Sequence, residues 1–332
     1  MHPNSLAQAM TLLTVSLGRP DNAGERPLSA KEWSRLAAWL KERELEPSDL
    51  LKGDLDSTLS GWMDRSVSLS RLEHLLARGG ALGLALERWR RAGIWVVARL
   101  EPGYPDRLES RLQLGSPPIL FGCGNRALLG RGGLAVVGSR NAGREDLEFA
   151  ENLGCAAARQ GFSIVSGGAR GVDEGAMLGA LENGGTAIGV LADSLLRAGT
   201  SGRFRKHLLA GDLVLVTPFN PEAGFNVGNA MSRNRCIYCL AEAAIVISST
   251  PDKGGTWNGA LKNLKAAWVP LWVKRTENES SGNPELVRRG GEWLPDDLAS
   301  LGCLMEASTD ENDGLDHSGL PLFEKRQRDA AR

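Results

Sequence analysis

Leu134-Ala135-Val136-Val137-Gly138-Ser139-Arg140 and Ser163-Ile164-Val165-Ser166-Gly167-Gly168-Ala169-Arg170-Gly171-Val172-Asp173 follow one plan. Each is an apolar run, then a glycine turn, then an arginine, then a helical stretch. In an open α/β sheet this places the turns at the carboxyl ends of strands, where ligands bind. Glycine lets backbone approach a bound group, and a helix N-terminus offers free N–H donors to anions. A third segment, Ser232-Arg233-Asn234-Arg235, adds two more arginines. Arginine in all three points to a phosphate-bearing ligand, because its planar fork matches phosphate oxygens.

The flanking sequence extends the pattern. Apolar strand candidates cover Leu134 to Gly138, Ser163 to Ser166, Thr186 to Leu191, Leu213 to Thr217 and Ala243 to Ser248, with a sixth from Trp268 to Val273. They alternate with helical stretches, which implies βαβ units in a mostly parallel, doubly wound sheet. Their apolar residues run continuously rather than alternating, as in strands covered on both faces. Ahead of them, Ile94 to Ala98 is also strand-like, and Tyr104-Pro105 and Pro117-Pro118 punctuate the connection. Residues 1 to 93 read instead as a small helical domain. Leu28-Ser29-Ala30-Lys31-Glu32-Trp33 predicts a helix start, with Ser29 as N-cap and Glu32 closing a capping box. The expected division is a helical domain over 1–93, an α/β domain over 94–291 and an acidic, partly disordered tail over 292–332.

The chain has 332 residues and 42% apolar content, which suits a globular protein with a sizeable core. No apolar run reaches the roughly 18 residues needed to span a bilayer. The N-terminus shows no signal-peptide pattern, and the 5 cysteines are scattered, so a cytoplasmic protein is expected. Net charge is −1, but its distribution is uneven. Residues 134 to 275 carry 15 Lys+Arg against 12 Asp+Glu, and residues 276 to 332 carry 6 against 13. A mildly basic middle with an acidic end is compatible with nucleic acid at a focused site.

Each motif has a plainer reading beside the functional one. Gly138-Ser139-Arg140 is a common strand end, and it lacks the full dinucleotide-binding glycine pattern. Ser166 to Asp173 reads as an anion nest of Gly167, Gly168 and Gly171 with Arg170 adding charge and Asp173 capping the next helix; the alternative is a capped structural turn. Ser232 to Arg235 reads as a helix opening. Arginines there oppose the helix dipole unless an anion compensates. Lys253-Gly254-Gly255-Thr256 has a phosphate-loop flavour without the order of a Walker A sequence. Cys236 and Cys239 form a C-x-x-C with no matching second pair, which suits buried residues one helical turn apart. No histidine accompanies a hydrolase motif, so neither a cofactor nor a metal nor a catalytic residue is expected.

Taken together the motifs resemble the DprA/Smf family of DNA-processing proteins. That family carries, in order, a Y-P-x-x-L, a P-P-x-L-F-x-x-G, a V-G-[ST]-R, an S-G-x-A-x-G-[IV]-D and an R-N-R. Here they stand as Tyr104 to Leu108, Pro117 to Gly124, Val137 to Arg140, Ser166 to Asp173 and Arg233 to Arg235, followed by a G-N-x-x-L-[IV] at Gly282 to Val287. The resemblance implies an extended Rossmann fold after a small helical domain. It also implies single-stranded DNA binding, a homodimer and delivery of the strand to a RecA-type recombinase. The residues it assigns to nucleic acid or phosphate are Gly138, Ser139, Arg140, Ser166, Gly167, Gly168, Arg170, Gly171, Arg233, Asn234, Arg235 and Lys253. Two positions depart from the family: Ala230 replaces an aromatic, with Phe225 nearby as a substitute, and Met177 replaces a histidine. The segment from Ser248 to Trp257 is degraded, and no C-terminal winged helix is evident.

Two other functions fit less of the sequence. A nucleotide sensor or phosphoribohydrolase-like enzyme needs a carboxylate soon after Thr256, where Trp257, Asn258 and Gly259 stand. A pure scaffold leaves the arginines as solvated charges. At the C-terminus, Leu320, Leu322 and Phe323 form a short apolar motif resembling a sliding-clamp peptide, with Gly319 in place of its glutamine.

Overall fold

The computed structural model describes residues 3–17, 26–278 and 280–306. Helices fill the first part of the chain: α1 (Ser5–Thr14), α2 (Ala30–Glu42), α3 (Leu55–Thr58), α4 (Leu69–Leu76) and α5 (Gly79–Arg91). The capping box of α2 forms as expected. The Ser29 amide donates to Glu32 Oε2 at 2.8 Å, and the Glu32 amide donates to Ser29 Oγ at 3.4 Å. Arg71 on α4 then donates to the same carboxylate at 2.8 Å and holds its pKa down to about 2.

Nine strands form one sheet: β1 (Trp95–Ala98), β2 (Ile119–Gly124), β3 (Leu134–Val137), β4 (Ile164–Ser166), β5 (Ala187–Val190), β6 (Leu213–Thr217), β7 (Ala243–Val246), β8 (Leu271–Val273) and β9 (Glu292–Trp293). Their order is β1-β2-β6-β5-β4-β3-β7-β8-β9. From β6 to β9 every pairing is parallel, while β1 and β2 add to the β6 edge antiparallel. The predicted strands are all present within a residue or two at their N-termini, apart from β8, which starts three residues late. Two strands were not anticipated. In β2 the preceding Pro117-Pro118 and the internal glycines hide the apolar run, and β9 has only 2 residues. With β9 come Leu294, Leu301 and Leu304, all buried, so the stretch from Glu292 to Leu304 is built into the fold.

The connecting helices are α6 (Asp106–Leu112), α7 (Arg144–Arg159), α8 (Val172–Leu181), α9 (Leu195–Thr200), α10 (Gly202–Ala210), α11 (Val227–Leu240), α12 (Gly254–Ala266) and α13 (Asn283–Arg288). They cover both faces, which is why β3, β6 and β7 are buried along their full length. One buried cluster runs from Leu13, Leu36 and Leu75 through Trp89 to Phe121 and Leu134. The N-terminal helices therefore share a core with one face of the sheet. The other face packs Val97, Val165 and Ile188 against Ile237, Tyr238 and Trp257. Among the described residues no helix is long and apolar enough to cross a membrane.

The strand order fixes where a ligand fits. From β3 the chain proceeds through β4, β5 and β6 on one side, then returns to build β7, β8 and β9 on the other. The turns after β3 and β7 thus diverge and leave a crevice at their carboxyl ends.

Candidate nucleic-acid interface

A cavity of about 440 Å³ occupies that crevice, a size usual for small-ligand sites. Gly138-Ser139-Arg140 after β3 forms one side, and Ser248-Ser249-Thr250 after β7 with Lys253 to Thr256 forms another. Helix α11 closes the third through Ala230, Arg233, Asn234, Ile237 and Tyr238. Hydrogen bonds tie these walls together. The Ser139 amide donates to Ser248 Oγ at 3.3 Å, Thr256 Oγ1 to the Gly138 carbonyl at 2.9 Å, and Asn234 Nδ2 to the Gly255 carbonyl at 3.0 Å. The N-terminus of α12, preceded by Lys253 and opening on Gly254 with φ +83°, faces the cavity with its free amides. Such an end favours an anion.

A second cavity of about 240 Å³ adjoins the first, since Arg140, Phe225 and Arg233 line both. Gly167, Gly168, Arg170 and Asp193 complete it. Arg140 and Arg170 are exposed at the rim, whereas Arg233 is only 4% exposed. The buried Nε of Arg233 has no hydrogen-bond partner among the described residues. Burial pushes its guanidinium pKa down, and the charge of Asp173 opposes this. Burial in turn pushes the Asp173 carboxyl up, against Arg233 and the amides of Ala169, Gly138 and Gly167. An incoming anion would add a second partner to Asp173 for this guanidinium and offset its desolvation. The hydroxyl of Tyr238, also on the cavity wall, is likewise buried without a partner.

Glycine is required at two places. A Cβ on Gly167 would lie 1.8 Å from Arg233 Nη1 and 2.4 Å from Asp173 Oδ2, so its absence makes the space for that pair. Gly171 has φ +98°, and a Cβ there would sit 2.6 Å from the Ser139 carbonyl oxygen. It lets the two strand-end turns touch.

Several sequence expectations need correction. Asp173 does not cap α8: the N-cap is Gly171 without a side-chain bond, and Asp173 is the second helical residue, turned toward the amides of the two turns. Ser232 to Arg235 does not open a helix. Helix α11 starts at Val227, capped by Asn226, so both arginines sit well inside it and the dipole argument lapses. Ser166 keeps its hydroxyl inside the sheet, where it donates to the Val136 carbonyl at 2.6 Å. Arg235 departs from the other arginines and lines a separate cleft across α11. Cys236 and Cys239 are buried, and burial pushes the Cys236 thiol up to about 11, as suits packing residues.

Phe225, the nearby aromatic of the sequence, lies at the site, whereas the role of Asn283 emerges only in three dimensions. Phe225 is 56% exposed, and the Arg140 guanidinium carbon stands 5.1 Å from its ring centroid. It supplies an aromatic surface at the cavity mouth that Ala230 does not. Asn283 is fully buried and binds the ends of β7 and β8. Its Nδ2 donates to the Ile247 and Lys274 carbonyls, each at 2.9 Å, and its Oδ1 accepts from Ser249 Oγ at 2.8 Å. Asn283→Ala is expected to cost at least about 2 kcal/mol by orphaning those groups. A lower chemical-unfolding midpoint at unchanged slope checks this.

The family model described as DNA recombination-mediator protein A matches residues 95–301. The chain belongs to that family. A DNA processing protein DprA of Mycobacterium tuberculosis is 32% identical over 208 residues, covering 59% of this chain and 52% of its own length. The DprA of Bacillus subtilis is 28% identical over 220 residues, covering 64% of this chain and 73% of its own. The chain thus spans about half the length of that mycobacterial protein. Among solved structures, DprA from Streptococcus pneumoniae superposes with a TM-score of 0.67 at 18% identity, covering 91% of this chain and 98% of that one. DprA from Helicobacter pylori, solved for its single-stranded DNA binding mode, superposes with a TM-score of 0.52 at 23% identity, covering 64% and 96%. At these identities the likenesses establish the fold alone.

Proposed function

We propose that this protein is a non-catalytic binder of single-stranded DNA that acts as a DNA-processing factor in the cytoplasm. The observation that carries the reading is the buried Arg233, whose Nε has no hydrogen-bond partner among the described residues, lining a cavity at the strand-order switch. A backbone phosphate seated there meets Arg233, the amides opening α12 and Lys253. Arg140 and Arg170 at the rim then hold flanking phosphates, and Phe225 offers a face on which a base stacks. None of these contacts reads base identity, so binding is tolerant of sequence. Membership in a recombination-mediator family supports two further elements of the proposal: that the protein is a homodimer, and that it protects the strand and passes it to a RecA-type recombinase. The clamp-like motif at Leu320, Leu322 and Phe323 lies outside the described residues.

A cavity of about 440 Å³ also has room for a free nucleotide, the competing reading. One fluorescence polarisation titration separates the two. Single-stranded DNA of mixed sequence should bind, with log affinity falling against log salt by about 0.7 per phosphate contact, a slope of about −2 for three contacts. Mononucleotides should compete only weakly. Tight mononucleotide binding with turnover would instead identify an enzyme.

A further inference from the structure

On the far side of α11 lies a second basic cleft, and the proposed function assigns it nothing. Its charged lining is Arg111, Arg235, Lys262 and Lys265, with no carboxylate among the described residues. Arg111 is spent on structure, since its guanidinium donates to the Cys239 and Ala241 carbonyls at the end of α11. The other three are not. Lys262 and Lys265 are exposed on one side of α12, and neither forms an ion pair among the described residues. Arg235 is half-buried, and its buried Nε has no hydrogen-bond partner among the described residues. A cation near the C-terminus of α12 is favoured by the helix dipole, which accounts for Lys265 alone. It leaves the half-buried Arg235 unexplained. The half-buried Trp268, just past α12, adds an aromatic wall.

The cleft lies across α11 from the first cavity. At about 100° per residue, Ala230, Arg233, Asn234 and Ile237 lie on one face of α11, while Gly228, Met231, Ser232 and Arg235 lie nearly opposite. Met231 lines both sites. The helix between them is passable at its start, where Val227 and Gly228 are exposed. Gly228 has no side chain to obstruct a strand crossing there.

We propose that this cleft is a second subsite for single-stranded DNA, reached by a strand that leaves the first cavity and crosses the first turn of α11. Arg235, Lys262 and Lys265 take its phosphates, and Trp268 stacks on a base. This subsite rests on the single-stranded DNA reading of the first cavity.

The test uses the full chain with two oligothymidylates, one of about 30 nucleotides and one of about 4, too short to occupy both sites. The double variant K262A/K265A should keep the wild-type melting temperature, because both side chains are exposed. It should bind the long strand about tenfold more weakly, with a salt slope shallower by about 1.4 units, and the short strand as wild type does. Trp268→Ala should weaken the long strand alone at unchanged salt slope. Equal losses for both strands would overturn the second subsite, as would a double variant that binds the long strand like wild type. Wild-type protein that binds neither strand would overturn the function reading and this proposal together.

Discussion

Gly167→Ala is expected to lower affinity for single-stranded DNA by about 100-fold, equivalent to about 2.7 kcal/mol, while leaving the protein folded. The added methyl would stand 1.8 Å from Arg233 Nη1. That atom ends a flexible side chain, so the guanidinium can swing aside without moving the backbone. The buried Asp173 Oδ2, 2.4 Å from the same methyl, must also shift, so the cost to folding lies toward the upper end of overpacking, about 3 kcal/mol. Binding suffers to a similar extent, because the displaced arginine is the buried cation of the site. A polarisation titration and a thermal melt on the same preparation measure both quantities. Wild-type affinity in the variant would show that Arg233 does not meet the DNA.

The other large effect concerns stability. Trp89→Ala is expected to destabilise the fold by about 3–5 kcal/mol and lower the melting temperature by roughly 6 °C. Trp89 is fully buried, and its ring meets Phe121 edge-on at a centroid distance of 4.9 Å. It thereby joins α5 to β2, and with them the helical segment to the sheet. Its Nε1 also donates to Glu222 at 3.0 Å, and Arg88 pairs with the same carboxylate. Glu222 stands three residues before Phe225, so α5 braces the loop that carries the aromatic rim. Below its melting point the variant should therefore bind the strand with a loss of only a few-fold. A melting temperature equal to wild type would show that the helical segment and the sheet are energetically independent.

Much of this architecture is legible in the sequence because its carriers are local. Leu134 to Val137 and Leu213 to Thr217 are continuous apolar runs, and a strand covered on both faces demands such a run. Ser29 and Glu32 announce their helix through adjacent residues. The start of α11 was not legible. Gly228 and Asn229 are weak helix formers, so the true cap at Asn226 looks no better than Ser232. The same misplacement made Arg233 and Arg235 seem to share a site. Spaced by two, they point to different sides of a helix whose beginning lay six residues earlier. Asp173 illustrates a different limit. An aspartate beside a helix start suggests a cap, and only the folded turns show that its carboxylate faces the amides around Gly138 and Gly167. Phe225 was legible as the nearest aromatic to Ala230, but Asn283 reaches Ser249, Ile247 and Lys274 through contacts distant in sequence, which no periodicity records.

The most direct measurement is the structure of this protein with a bound oligothymidylate. The account predicts a phosphate in the crevice between β3 and β7, within hydrogen-bond distance of Arg233 and of the amides opening α12, with a base against Phe225. A strand ordered elsewhere on the surface, with that crevice holding no part of it, would contradict the account.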